Sequence, residues 1–168
     1  LHIGGRHVLP GWTLFDIAPG PHVDRVGDCR DLSAFAADSV ADIYASHVLE
    51  HLGYLDDLPR ALAEFRRVLV PGGRLLVGVP DLDALCRLFI DPALDLQERF
   101  HVMRMMFGGQ TDPHDLHRAG LNEAFLRDYL AVAGFRAVRR VEGFGLCQDS
   151  TTLRVRDVPI SLNMVAEK

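Results

Sequence analysis

The segment His47-Val48-Leu49-Glu50-His51 sets two imidazoles on either side of a carboxylate. On one helical face this is the H-x-x-E-H arrangement, in which two histidines hold a metal and the glutamate serves as general base. Such a site needs a third protein ligand from a separate element, and here the segment directly follows an apolar run that reads as a strand. No metal is therefore assigned from the sequence. Two other readings stand beside it: Glu50 and His51 satisfy backbone groups at a helix start, or His47 and His51 line a reaction centre as general bases, imidazole being the side chain that changes charge near neutral pH. A second polar group, Asp112, His114, Asp115 and His117, lies in the glycine-rich stretch GGQTDPHDLHRAG. It reads as a solvated loop or as a substrate wall, with His117 a further candidate base.

Small and acidic residues also recur just after apolar runs: Gly4-Gly5, Asp16, Asp28, Ser46-His47 and Pro80-Asp81. Glycines let backbone approach a ligand closely, and a carboxylate at a neighbouring strand end is the usual partner of a ribose diol. A nucleoside-bearing cofactor is expected. Dinucleotide binding requires a glycine-rich turn opening a helix, whose N-terminus holds the pyrophosphate, and an acid about 20 residues on. Here six residues separate Gly5 from Trp12, and Asp16 follows Gly4 by twelve. No helix of normal length fits between them. S-adenosylmethionine has no phosphate, and its adenosine, carboxylate and sulfonium can be met by carboxylates, backbone groups and apolar contacts. The count favours it over NAD.

The positioning elements follow from periodicity. Short apolar runs rich in β-branched residues predict strands at Leu1–Ile3, Trp12–Ile17, Val40–Ala45, Leu75–Val79, Ala137–Val141 and Ile160–Ala166, with a shorter run at Val23–Val26. Leu55, Leu58, Leu62, Phe65 and Leu69, spaced by three and four, predict a helix that Asp56 or Asp57 starts and Pro71-Gly72-Gly73 stops. Asn122 caps a second, running through Phe125, Leu126, Tyr129 and Leu130 to Gly134, with Leu121 placed to staple onto Leu126. Two more are expected, at Leu82–Phe89 and around Leu96, Phe100, Met103 and Phe107. Met103, Met105, Met106 and Phe107 serve as core filler or as a lid over the acceptor. Strands alternating with helices predict an α/β fold: a Rossmann-like, mostly parallel sheet with helices on both faces, an antiparallel C-terminal edge and a shortened first crossover.

The chain has 168 residues, 48% hydrophobic and 24% charged, which fits one domain over 1–168, with residues 90–120 as an insertion covering the substrate. The net charge of −5 and the lack of any basic cluster beyond Arg66-Arg67 and Arg139-Arg140 disfavour a nucleic-acid partner. No apolar run reaches the roughly 18 residues of a membrane span, and LHIGG has no basic segment of a secretory signal. Cys29, Cys86 and Cys147 are odd in number and far apart, and read as buried thiols in a reducing cytoplasm.

The segments LHIGG, WTLFDIAPGPHVDRVGDCRDL, SVADIYASHVLEHL, RRVLVPGGRLLVGVPDL and DLHRAGLNEAFLRDYLAVAGF together resemble class I S-adenosylmethionine-dependent methyltransferases. The similarity is greatest to a short bacterial branch often found beside sugar and polysaccharide genes. ASHVLEHL and RVLVPGGRLLVGVPD are its most specific parts. The resemblance implies that Gly4 and Gly5 face the methionine part of the cofactor, and that Asp16, with Ile17 beside it, holds the ribose hydroxyls. Asp28 and Cys29 would meet the adenine, and Ser46 and His47 would close over the methyl end. The implied activity is methyl transfer to a small-molecule, sugar-related acceptor. Two alternatives stay open: a non-catalytic module that binds or regulates a partner such as a glycosyltransferase, and a zinc hydrolase built on His47, Glu50 and His51.

Overall fold

The computed structural model describes residues 1–5 and 7–168. Among the described residues, nine strands and four α-helices follow in order: β1 (His2–Ile3), β2 (Leu14–Asp16), β3 (Arg25–Val26), β4 (Val40–Ser46), α1 (Asp57–Val68), β5 (Leu69–Pro80), α2 (Leu82–Ile90), α3 (Leu96–Phe107), α4 (Glu123–Val132), β6 (Arg136–Val141), β7 (Arg154–Val155), β8 (Val158–Pro159) and β9 (Ser161–Glu167). Seven strands form one sheet in the order β3-β2-β1-β4-β5-β9-β6, and β7 and β8 make a separate hairpin. β1 to β5 are parallel, whereas β9 runs antiparallel between β5 and β6. The last two strands thus form the antiparallel edge, with β9 inserted one place inside β6.

Side chains alternate across the sheet because the strand period is two. Ile43, Ala45, Leu75, Val77, Leu162 and Met164 point to one face, where they join Leu58, Leu62 and Phe65 of α1 and Leu126 and Leu130 of α4 in the main core. Burying each of those large side chains contributes about 1.5–3 kcal/mol. Tyr44, Leu76 and Val165 point the other way and meet Leu9, Trp12, Phe144 and Leu146. Helices were expected on both faces. This second face is covered instead by the two irregular segments that carry those four side chains, because the connection from Gly5 to Trp12 is too short to hold a helix and cross to a parallel strand.

Local departures have local causes. α1 ends at Val68, before the Pro-Gly-Gly expected to stop it, and Leu69 is already extended. Pro71 accounts for this, since its ring excludes helix in the preceding turn and pushes Val70 toward extended backbone. Gly72 and Gly73 then lie inside β5, where a Cβ on Gly73 would stand 2.7 Å from the Ala41 carbonyl oxygen. α3 turns Val102 inward against Leu85 and Leu88 of α2, with Met105 and Met106 packed beside them. The expected stripe faces out: Leu96, Phe100 and Phe107 are 84%, 58% and 54% exposed. The cysteines also differ from expectation, since only Cys29 is buried; Cys147 is intermediate and Cys86 exposed.

Candidate active site

Four neighbouring parallel strands, β3, β2, β1 and β4, deliver their C-terminal ends to one rim, the place where open α/β sheets bind ligands. Gly4 and Gly5 follow β1, Asp16 ends β2, Asp28 and Cys29 follow β3, and Ser46 ends β4 with His47 next. Backbone bonds lock these ends together: the Gly4 N–H donates to the Phe15 carbonyl at 2.9 Å and the Gly27 N–H to that of Asp16 at 2.8 Å. The rim borders a cavity of about 1010 Å³, at the upper end of the range for small-molecule and cofactor sites. Ten of the residues singled out above line it: Gly4, Gly5, Asp16, Ile17, Asp28, Cys29, Ser46, His47, His51 and His117. Asp81 stands apart and caps α2, accepting the Asp83 and Ala84 N–H groups.

The glycines are fixed by packing. Gly4 has φ +67°, and a Cβ there would lie 2.5 Å from Val48 Cγ2; at Gly5 it would meet the His2 ring at 2.1 Å. Asp16 Oδ1 accepts the Ala18 N–H at 2.8 Å, an Asx turn that pins the carboxylate at the strand end. Asp28 is held differently, since Arg30 Nε lies 2.9 Å from both of its oxygens while Arg30 Nη1 reaches Asp57 at 2.6 Å. The guanidinium keeps the Asp28 carboxyl below its ordinary range against the opposing effect of burial. Burial pushes the Cys29 thiol up to about 12, so it stays protonated and apolar in character.

His47 sits in the left-handed region, φ 54°, a conformation uncommon outside glycine and concentrated at functional sites. The Ser161 hydroxyl donates to the Ser150 carbonyl at 2.8 Å, so its oxygen accepts from His47 Nε2–H at 2.9 Å. The other ring nitrogen, Nδ1, then faces Glu50 Oε1 at 3.2 Å. That approach lies outside in-line geometry, and neither oxygen of the fully buried Glu50 side chain has a hydrogen-bond partner. Burial pushes the Glu50 carboxyl up, but His47, with His51 and His117 behind it, outweighs burial and holds it below its usual value.

Residues 49–51 form a single 3-10 turn, so the His-x-x-Glu-His segment does not set its two imidazoles and carboxylate along one face of an α-helix. His51 and His117 meet instead across the cavity wall, rings edge to face with centroids 4.8 Å apart. The segment around 112–118 is tied down by Glu50, whose carbonyl accepts the Arg118 and Ala119 N–H groups at 2.7 and 3.0 Å. Burial lowers His117 below its ordinary range, against the pull of Glu50.

Sequence reading missed three contributors to the cavity: Arg30, Asp57 and Asp149. Asp149 accepts the Tyr44 hydroxyl, together with the Thr151 hydroxyl at 2.6 Å and the Thr151 N–H at 2.9 Å. It arrives more than 100 residues after Tyr44, from an irregular segment without a motif. Among the described lining residues, seven carboxylates face two guanidiniums. Such a wall suits a cationic ligand and opposes a pyrophosphate.

Residues 16–77 match a family described as a methyltransferase domain, and the matched stretch holds Asp16, Asp28, Ser46 and the His47–His51 segment. Over that stretch the chain is similar to methyltransferases. No curated protein matches it. Among solved structures, a SAM-dependent methyltransferase from Archaeoglobus fulgidus is 17% identical with a TM-score of 0.59, over 93% of this chain and 75% of that one. A possible histamine N-methyltransferase from Thermotoga maritima is 18% identical with a TM-score of 0.52, over 88% and 65%. The third is 1,6-didemethyltoxoflavin-N1-methyltransferase from Burkholderia thailandensis, solved with bound 1,6-didemethyltoxoflavin and S-adenosylhomocysteine. It is 17% identical with a TM-score of 0.54, over 93% of this chain and 60% of that one. The chain therefore spans between 60% and 75% of the length of these three proteins. At such identities the likeness establishes the shared methyltransferase fold. No helix among the described residues is long and apolar enough to cross a membrane.

Proposed function

We propose that this domain transfers a methyl group from S-adenosylmethionine to a small-molecule acceptor at oxygen or nitrogen, with a sugar-related compound as the acceptor class. The observation that carries this reading is the convergence of Gly4, Asp16, Asp28 and Ser46, from four strand ends, on one carboxylate-rich cavity. The residues fit the cofactor: Asp16 is pinned where a ribose diol would lie, and Gly4 and Gly5 admit close backbone approach beside Ser46. Asp28 and Cys29 offer a polar and an apolar contact for adenine. When bound, the sulfonium supplies a methyl on a good leaving group. What remains for the protein is to hold the nucleophile in line and exclude water.

His51 and His117 are placed to take a proton from an acceptor hydroxyl or protonated amine. His47 has both ring nitrogens turned to protein groups and acts as a positioning residue. The insertion over residues 90–120 divides in this reading. α3 packs on α2, away from the cavity, whereas residues 112–118 line it and form the acceptor-side wall. A cytoplasmic setting belongs to the same reading, supported by three thiols that stand apart as free cysteines.

Calorimetry with S-adenosylhomocysteine tests the proposal. The protein should bind it, and Asp16→Ala should weaken binding at least about tenfold, the equivalent of 1.4 kcal/mol. Absence of binding by the unaltered protein, or unchanged affinity in the variant, overturns the cofactor assignment. Transfer of labelled methyl to a sugar-enriched small-molecule extract then tests activity. Binding without any transfer would support a non-catalytic module instead.

A further inference from the structure

Glu50, His51 and His117 each offer a ligand atom, and these atoms lie within 4.8 Å of one another. The sequence supplied only the adjacent pair; His117 reaches them from 66 residues further along, through a loop anchored on Glu50's own carbonyl. Two features go beyond proximity. Both Glu50 carboxylate oxygens are buried without a hydrogen-bond partner, a costly state for a polar group, and the neighbouring His47 Nδ1 at 3.2 Å does not supply one. His51 Nδ1 lies 3.2 Å from the Leu116 carbonyl, which fixes it as the protonated nitrogen and leaves the lone pair of Nε2 free. Metal-binding histidines characteristically donate their second N–H to a backbone carbonyl in this way, which sets tautomer and ring orientation.

We propose that Glu50, His51 and His117 bind a divalent transition-metal cation of the zinc or manganese class at the acceptor side of the cavity. One carboxylate and two imidazoles suit borderline cations, where magnesium or calcium sites use oxygen ligands throughout. Three protein ligands leave at least one coordination position open, as in catalytic sites. All three residues line the cavity, so an oxygen of the acceptor is the ligand class for that position. With the cation bound, the lone pairs of His51 and His117 are engaged, and the cation rather than these imidazoles would favour loss of the acceptor's proton. This last step rests on the methyltransferase reading; the metal site itself does not. His47, the first histidine of the motif, stands outside the set, its Nε2–H donated to Ser161 Oγ at 2.9 Å.

The test uses the whole chain after chelation, titrated with cobalt(II) as an optical probe and with zinc and manganese by calorimetry. One cation per chain should bind, giving visible d–d absorption with cobalt that zinc or manganese displaces. His117→Ala and His51→Ala should each weaken binding at least about tenfold, and His101→Ala, on the exposed side of α3, should not. His117 lies in a loop, so that variant keeps the test open even if Glu50→Gln fails to fold. Lack of saturable binding by all three cations, or binding unchanged in both histidine variants, overturns the site. S-adenosylhomocysteine affinity measured on the same metal-free protein separates this failure from failure of the cofactor assignment.

Discussion

His47 Nε2 donates to Ser161 Oγ at 2.9 Å, joining the end of β4 to the start of β9 across 114 residues of sequence. Because Ser161 spends its own proton on the Ser150 carbonyl, the bond fixes which nitrogen of His47 carries hydrogen toward β9 and which faces Glu50. The buried Glu50 is thereby aligned by a residue far from it in sequence.

Ser161→Ala should release that ring. The expected cost is about 1–3 kcal/mol of stability for the two hydrogen bonds lost with the hydroxyl, measured by urea denaturation. In nitrogen-15 spectra of the histidine side chains, the Nε2–H signal of His47 should lose its hydrogen-bonded character. An unchanged His47 signal would show that Ser161 does not set its orientation.

Gly4 carries two independent demands, a positive φ and a Cβ position filled by Val48. Gly4→Ala should cost about 1–3 kcal/mol from backbone strain together with the clash. Val48→Ala removes the 2.5 Å contact but not the strain. Adding it to the Gly4 variant should therefore cost less than Val48→Ala costs alone, a coupling that a double-mutant cycle reads directly.

The three thiols should separate by reactivity. Cys86 is exposed, Cys147 intermediate, and Cys29 is buried with its thiol pushed up to about 12. Since the thiolate is the reacting form, iodoacetamide near pH 8 should label Cys86 first and Cys29 last, as followed by mass spectrometry. Fast labelling of Cys29 in the folded protein would contradict its burial beneath the cavity.

Much of the fold was legible because it rests on local regularities. The three-and-four spacing of Leu58, Leu62 and Phe65 located α1, and Asn122 capped α4 through the Phe125 N–H as its position indicated. The strand ends could be read because small and acidic residues follow apolar runs. What stayed hidden depends on tertiary placement. The spacing of Leu96, Phe100 and Phe107 looked like a buried stripe, but α3 can bury only one face against α2, and Val102 holds it. Pro71 ends α1 through a steric effect on the preceding turn, so the glycines after it were free to serve β5. His117 joins Glu50 and His51, and Asp149 joins Tyr44, across long loops whose path no periodicity encodes.

Asp149 offers the clearest pH dependence. Burial pushes its carboxyl up, but the hydrogen bonds from Thr151 and Tyr44 outweigh burial and hold it below the ordinary 3.8. A carboxyl depressed in the folded state binds protons more weakly there than in the unfolded chain. Its contribution is therefore complete above about pH 4 and is lost as pH falls through the lower folded value. Asp149→Ala leaves the buried Tyr44 hydroxyl and the Thr151 N–H without their acceptor, which should cost about 1–3 kcal/mol at pH 7. Urea denaturation at a series of pH values should show the gap between the two proteins constant from pH 7 to about pH 5 and narrowing below pH 4. A gap that widened on acidification would mean that Asp149 is protonated in the folded protein and that its hydrogen bonds do not stabilise the charged form.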